Sequence, residues 1–210
     1  MLELLTVSLG PLQTNCYVAA CTETGEAAVI DPSWNGAKIA SEIADRGWSI
    51  THILLTHAHF DHVGGLAALK EESGAPIYAH RDALPMLKQA GTAASLWGLD
   101  MEQPPEPDAW LAEGDAIMVG EIELLVLFTP GHAPGHVSFY AGAQDVLFDG
   151  DVLFQRGIGR TDLPGGNFQQ LMESIRQKVL SLPPQTQILS GHGGPTTVGE
   201  EKRFNPFLQQ

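Results

Sequence analysis

The first thirty residues alternate apolar and polar positions in a way that predicts strands over Leu4 to Ser8, Thr14 to Cys21 and Glu26 to Ile30. A Thr24-Gly25 turn separates the last two, and the meander ends at Asp31-Pro32. The period then changes. Over 35 to 46, Ile39 and Ile43 stand four apart with Ala40 and Ala44 beside them, and Gly47 follows, so an amphipathic helix closed by glycine is predicted. Ile50 to Leu55 reads as a strand, and His62 to Ser73, with Leu66 and Leu69 at helical spacing, as a helix. A strand near Pro76 to Ala79 and a short helix from Asp82 to Lys88 come next. Gly91 to Trp110 collects Trp97, Met101, Pro104, Pro105, Pro107 and Trp110 without a clear period. It reads either as a long surface loop or lid bordering a pocket or as an irregular packed connection.

The second half repeats the alternation, with strands predicted over Ile117 to Val119, Glu121 to Phe128, His136 to Ala141 and Asp145 to Phe148. Asn167, with Gln170 three residues on, forms a capping-box pattern ahead of a helix. Leu171, Ile175 and Val179 give that helix its apolar stripe, and Pro183 stops it. A last strand, Gln187 to Leu189, precedes Ser190-Gly191-His192-Gly193-Gly194. Two runs of strands, each followed by helices, fit an α/β class protein built as a layered sheet sandwich flanked by helices.

Composition narrows the function classes. The 210 residues are enough for one sizeable core, so one domain over 1–210 is expected. A formal net charge of -14 repels phosphate backbones, which argues against a nucleic-acid partner. The acidic start and the lack of an apolar run of roughly 18 residues argue against a leader peptide and a membrane partner, leaving a cytoplasmic location as the expectation. Cys16 and Cys21 are an odd number of residues apart in one predicted strand. They should face opposite sides as buried thiols of a reducing compartment.

The chemistry concentrates in Thr56-His57-Ala58-His59-Phe60-Asp61-His62, directly after the apolar run Ile53-Leu54-Leu55. Gathering three imidazoles and a carboxylate at a half-buried strand end carries a desolvation cost unless something binds them together, and a metal ion is the candidate. His57 and His59 alternate along the strand end and point the same way, while Asp61 and His62 begin the helix and can serve an adjacent ion. Further donors are needed. Pro130-Gly131-His132, Gly150-Asp151-Val152 and Gly191-His192-Gly193 each put a ligand-type residue beside a glycine after a strand, where the backbone can approach closely.

The ordered set His-x-His-x-Asp-His, His, Asp, His resembles the metallo-β-lactamase superfamily over essentially the whole chain. That resemblance implies an αββα four-layer sandwich of two mixed sheets with the site at one edge. It assigns His57, His59 and His132 to one ion, Asp61, His62 and His192 to a second, and Asp151 to a bridge between them. Asp151 speaks against a true β-lactamase, and His59 against the flavo-di-iron branch. Gly10-Pro11-Leu12-Gln13-Thr14-Asn15-Cys16, Gly157-Ile158-Gly159-Arg160-Thr161-Asp162, Gly191 to Thr197 and Asn205-Pro206-Phe207 resemble the glyoxalase II group, the hydroxyacylglutathione hydrolases, in its short single-domain form. No counterpart is expected here of the separate C-terminal helical domain that supplies much of the glutathione site in the longer members of that group.

The resemblance implies hydrolysis of a thioester, S-D-lactoylglutathione first, by two divalent ions that share a hydroxide. Zinc is the first choice of ion, and iron and manganese suit the same donors. Asp61 and Asp151 are the catalytic residues on this reading, with Asp61 also orienting the attacking group. Arg160 fits either a carboxylate of a glutathione-derived partner or a salt bridge to Asp162, and Lys202 and Arg203 are weaker candidates for the same contact. His136 reads as a core or supporting histidine, His52 and His80 as ordinary ones, and Asp31 as either the orienter of a ligand imidazole or a helix cap. The alternative activities on this scaffold are an iron-dependent persulfide dioxygenase using His57, His132 and Asp151, and a lactonase or other acyl-thiol hydrolase. The sequence leaves the oligomeric state open.

Overall fold

A computed structural model describes residues 1–209. The predicted meander forms as β1 (Leu2–Leu9), β2 (Thr14–Cys21) and β3 (Glu26–Ile30). Then come α1 (Gly36–Asp45), β4 (Ser49–Leu54), α2 (Phe60–Val63), α3 (Leu66–Ser73) and β5 (Ile77–His80). A 3-10 turn leads into α4 (Leu84–Leu87), α5 (Ala90–Leu96) and β6 (Ala109–Leu111). The second half holds β7 (Ala116–Val119), β8 (Ile122–Phe128), β9 (Val137–Ala141), β10 (Val146–Gly150), β11 (Leu153–Phe154) and β12 (Gly157–Ile158). It closes with α6 (Phe168–Ser174), a π turn over Ile175–Val179, β13 (Gln187–Ser190), β14 (Thr196–Thr197) and α7 (Val198–Phe204).

Two mixed six-stranded sheets result, in the orders β1-β2-β3-β4-β5-β6 and β14-β13-β10-β9-β8-β7. Strand parity decides what each face meets. Val18, Val29 and Ile53 pack under Ile39, Ile43, Leu66 and Leu69 of α1 and α3, whereas their neighbours Ala19, Ile30 and Leu54 face Leu124, Val126 and Phe139 of the second sheet. The outer face of that sheet meets Leu171, Ile175 and Val179. Both faces of the inner strands are therefore covered, which is why every residue of β2 is buried. This is the expected αββα sandwich. Cys16 and Cys21 are buried free thiols in the two different cores, as their spacing predicted.

Three local expectations differ from the structure. The helix predicted over His62 to Ser73 is broken between α2 and α3, because the chain around Ser33 crosses at Gly64–Gly65. A Cβ on Gly64 would stand 2.4 Å from the Ser33 carbonyl, and Gly65 N–H donates to the Pro32 carbonyl at 2.8 Å. Gly91 to Trp110 is only partly irregular: α5 forms on Ala90 and Ala94, whose small buried side chains give too weak an apolar stripe to read. Only half of the capping box at Asn167 forms. Its side chain accepts from Gln170 N–H at 3.0 Å, while its own N–H donates to the Gly131 carbonyl at 2.7 Å, tying the following loop to α6.

Helix α7, unpredicted from sequence, clamps the β11–β12 hairpin. The buried Glu201 carboxylate accepts from Arg156 N–H and Nη1 at 2.8 Å each, from Thr196 Oγ1 at 2.6 Å and from Asn205 Nδ2 at 2.9 Å. Glu201→Ala strands all of these donors, so it should lower unfolding free energy by about 3 kcal/mol. Urea titration checks this, and a loss under about 1 kcal/mol would contradict it. Among the described residues no helix is long and apolar enough to cross a membrane.

Candidate metal centre

The donors converge at one edge of the sandwich, on loops that leave β4, β8, β10 and β13. Cross-sheet hydrogen bonds fix that edge. Val137 N–H donates to the Thr56 carbonyl at 2.8 Å, Asn15 N–H to the Gly191 carbonyl at 2.7 Å, and Tyr17 Oη to the Ser190 carbonyl at 2.7 Å. Glycine allows the closest approach: a Cβ on Gly191 would lie 2.3 Å from Asp151 Oδ1. At Gly150, which precedes Asp151, φ is +53° and a Cβ would meet His136 Nε2 and Thr56 Oγ1 at 2.6 Å each.

All seven residues singled out from the sequence meet in one cluster of donor atoms, a ring closed through Asp61, His62, Asp151 and His192 and extended by His132, His59 and His57. His59 Nδ1 lies 3.1 Å from His57 Nε2 and 2.9 Å from His132 Nε2. His132 Nε2 is 3.5 Å from Asp151 Oδ2, which is 3.7 Å from His192 Nε2. Asp151 Oδ1 lies 3.5 Å from His62 Nε2, and Asp61 Oδ2 lies 3.7 Å from His62 Nε2 and 3.2 Å from His192 Nε2. A tetrahedral ion with donors at about 2.05 Å separates them by about 3.3 Å, which falls within these spacings. His62 Nε2 and Asp151 Oδ1 are buried without a hydrogen-bond partner. Two such atoms facing each other are costly in a folded chain unless a cation satisfies both. The donor set fits divalent ions.

The ring nitrogens are aimed by groups behind them. His62 Nδ1–H donates to Asp31 Oδ2 at 2.9 Å, and His132 Nδ1–H to the Arg160 carbonyl at 2.8 Å. His57 Nδ1 lies 2.9 Å from Thr56 Oγ1, whose hydroxyl donates to Asp31 Oδ2 at 2.6 Å. In each case the proton is held outside and the Nε2 lone pair is left facing the ring. Asp31 thus orients a ring histidine and caps no helix. It does so from a left-handed backbone, φ +51°, that aspartate tolerates better than most residues.

His136 is a supporting residue, as expected. It stacks on His57 with centroids 4.9 Å apart and accepts the Asp151 N–H at Nε2, at 3.1 Å. Its Nδ1 meets Thr129 Oγ1, and the chain continues through Ser138 to the buried Asp149, whose Oδ2 accepts Leu153 N–H. Sequence reasoning missed Thr14, Thr56, Thr129 and Asp149. Thr14 and Thr56 stood in motifs already noted without a role of their own, and the Thr14 hydroxyl donates to Asp61 Oδ2 at 2.8 Å. His52 and His80 lie outside the ring, beside Tyr78 and Phe128 respectively.

Burial and charge pull the groups apart. Burial, reinforced by neighbouring imidazoles, holds His57 well below the ordinary histidine value and brings His59 down to about 4. Burial also disfavours charge on His62, but Asp151, Asp61 and Asp31 outweigh it and raise that imidazole well above normal. Against the upward pull of burial, His62 and His192 bring Asp61 down to about 2. Asp151 is likewise lowered, chiefly by His62.

Around the ring opens a cavity of about 960 Å³ whose lining includes Arg160. That guanidinium is held by both carboxylate oxygens of Asp162 at 2.8 Å. Lys202 and Arg203 lie on α7, with Lys202 Nζ donating to the Leu180 carbonyl and Arg203 over the Phe204 ring.

The αββα sandwich and its His/Asp ring define a protein of the metallohydrolase type. Residues 9–192 match the model of the metallo-beta-lactamase superfamily, and the chain belongs to that family. It is 43% identical to "Probable metallo-hydrolase YqgX" of Bacillus subtilis, over 95% of this chain and 94% of that one. It is 39% identical to "Hydroxyacylglutathione hydrolase GloC" of Haemophilus influenzae, over 93% of each. Among solved structures, BLEG-1 B3 metallo-beta-lactamase superposes with a TM-score of 0.92 at 38% identity, covering 99% of this chain and 100% of that one. TTHA1623 in a di-iron-bound form gives 0.90 at 44%, covering 97% and 100%.

Proposed function

We propose that this chain is a hydrolase of thioesters that works with two divalent ions. The carrying observation is the unpartnered pair His62 Nε2 and Asp151 Oδ1, 3.5 Å apart inside the ring. On this reading His57, His59 and His132 hold one ion, Asp61, His62 and His192 the other, and Asp151 lies between them. Ions bound there supply an ionised water near neutral pH and positive charge for a developing oxyanion.

The chain's own groups do the rest. Asp61, ionised down to about pH 2 and steadied by Thr14, accepts a hydrogen bond from the attacking water and orients it. A thiol with a pKa of about 8.5 leaves without a strong general acid, which suits a site whose proton donors are all engaged in the ring. The name of the Haemophilus influenzae relative supports hydroxyacylglutathiones, S-D-lactoylglutathione included, as thioesters to try first. The di-iron form of TTHA1623 supports iron beside zinc.

Elemental analysis and steady-state assays on one preparation test the proposal. Two metal equivalents with thioester turnover are expected. One iron with oxygen uptake on glutathione persulfide overturns it in favour of a dioxygenase. β-Lactams and lactones belong in the same panel, the former because of the likeness to BLEG-1, and turnover confined to either overturns the thioester assignment.

Asp31 offers an independent check. Asp31→Asn keeps the shape and tolerates the left-handed backbone but removes the charge behind His62. Metal affinity should fall by about 10- to 100-fold in competition with a chromophoric chelator. An unchanged affinity contradicts the role given to His62.

A further inference from the structure

The cavity beside the ring offers more apolar surface than a short polar acyl group covers. At about 960 Å³ it stands at the top of the range of roughly 300–1,000 Å³ usual for small-molecule sites. One wall presents Met86, Ala93, Leu96 and Trp97, and the other Phe154 and Ile158. Leu96 and Trp97 are 84% and 57% exposed, large apolar side chains left facing water at the mouth. Trp97 also rests on Phe60, between His59 and Asp61, with centroids 5.9 Å apart, so this wall is continuous with the ring.

The charges point the same way. A glutathione thioester carries two carboxylates, and a site that reads them needs free cations. Among the described residues that line the cavity, Arg160 is the one Lys or Arg side chain, and the Nε–Nη2 edge of its guanidinium is already paired with Asp162. Asp82, also at the lining, adds repulsion.

We propose that this cavity takes the apolar acyl chain of a thioester, of medium length, and that the thiol carrier is not recognised through its carboxylates. The inference rests on the thioester reading above and sharpens it. A lactoyl group would leave most of both walls wet, whereas an unbranched acyl chain lying between Trp97 and Phe154 removes that surface from water while its carbonyl reaches the ring.

The test uses metal-loaded protein and 2-oxoalkyl thioethers, in which a methylene between carbonyl and sulfur blocks hydrolysis. Acyl lengths of two to eight carbons are made on glutathione and on uncharged N-acetylcysteamine, and Kd is measured by calorimetry. Binding should tighten by about fourfold per methylene until the cavity is filled. The two carriers should agree within about threefold, since a charge-assisted contact to a carboxylate would separate them by tenfold or more. Trp97→Ala and Leu96→Ala alter exposed side chains and should reduce the gain to under about twofold per methylene. A Kd independent of chain length, a tenfold advantage for glutathione, or an undiminished gain in both variants overturns the proposal. Hydrolysis of the matching thioesters is measured alongside. Tightening with length but no cleavage of any thioester supports the cavity assignment and overturns the hydrolase, whereas cleavage indifferent to length does the opposite.

Discussion

Asp61→Ala should abolish turnover in a chain that still folds. Asp61 Oδ2 sits 3.2 Å from His192 Nε2, 3.7 Å from His62 Nε2 and 2.8 Å from the Thr14 hydroxyl, so one oxygen joins two ring imidazoles to the β2 strand. Its loss removes an anionic donor from one half of the ring and the acceptor that orients the attacking water. Effects of this kind are worth several kcal/mol, and about 4 kcal/mol corresponds to roughly 10³-fold in rate. Asp61→Asn, which keeps the volume, should fail for the same reason. The fold should persist because Asp61 borders the cavity, where water replaces the missing carboxylate. Circular dichroism and metal analysis accompany the assay, and near-normal activity in a metal-replete variant would sink the assignment.

Chelation should produce the largest change in stability, with a defined pH dependence. An ion at about a thousand times its Kd stabilises the folded chain by about 4 kcal/mol, and for a domain of this size its removal lowers Tm by roughly 10 °C. In the stripped chain, burial holds His57 and His136 well below the ordinary value, His59 at about 4 and His132 below normal. The unfolded chain takes up these protons near pH 6.5, and the folded chain only further down. Between those values the unfolded state binds more protons, so stability present at pH 7 is lost as pH falls towards 4. Burial opposes charge on His62 and His192 too, but the surrounding carboxylates raise both. Their contribution is complete below about pH 6.5 and lost as pH rises through their folded values. The two sets act in different windows, the raised pair above about pH 6.5 and the four lowered groups below it, at about 1.4 kcal/mol per pH unit for each net proton. Melting curves of chelated protein should therefore move up as pH falls from 7.5 to about 6.5 and then down from there to 4.5. A Tm unaffected by chelation would contradict the metal centre.

Much of this was legible before any coordinates. Period-two and period-3.6 patterns record which residues must be buried on one face, and they located the inner strands, α1 and the stripe of α6 within a residue or two. The seven candidate donors were legible because three imidazoles and a carboxylate crowd into His57 to His62 and three more donor-type residues stand beside glycines after strands. Short elements were not legible: β11, β12 and β14 have two residues each, too few to show a period. Alpha-helix α5 was missed because alanine at its buried positions gives little apolar contrast. The break at Gly64–Gly65 follows from a chain segment thirty residues earlier, which no local pattern records.

The sequence alone determined the layer composition, the separation of Cys16 from Cys21 and which donor-type residues to look for at one edge of the sandwich. Only the tertiary structure decided what supports them. Asp31 behind His62, the Arg160 carbonyl behind His132, His136 under Asp151 and Asn15 bonded to the Ser190 carbonyl are contacts between 15 and 175 positions apart along the chain. Local periodicity reports that a face is covered, but sheet order and register choose what covers it, and the same choice sets an apolar cavity beside the ring with its one guanidinium already paired.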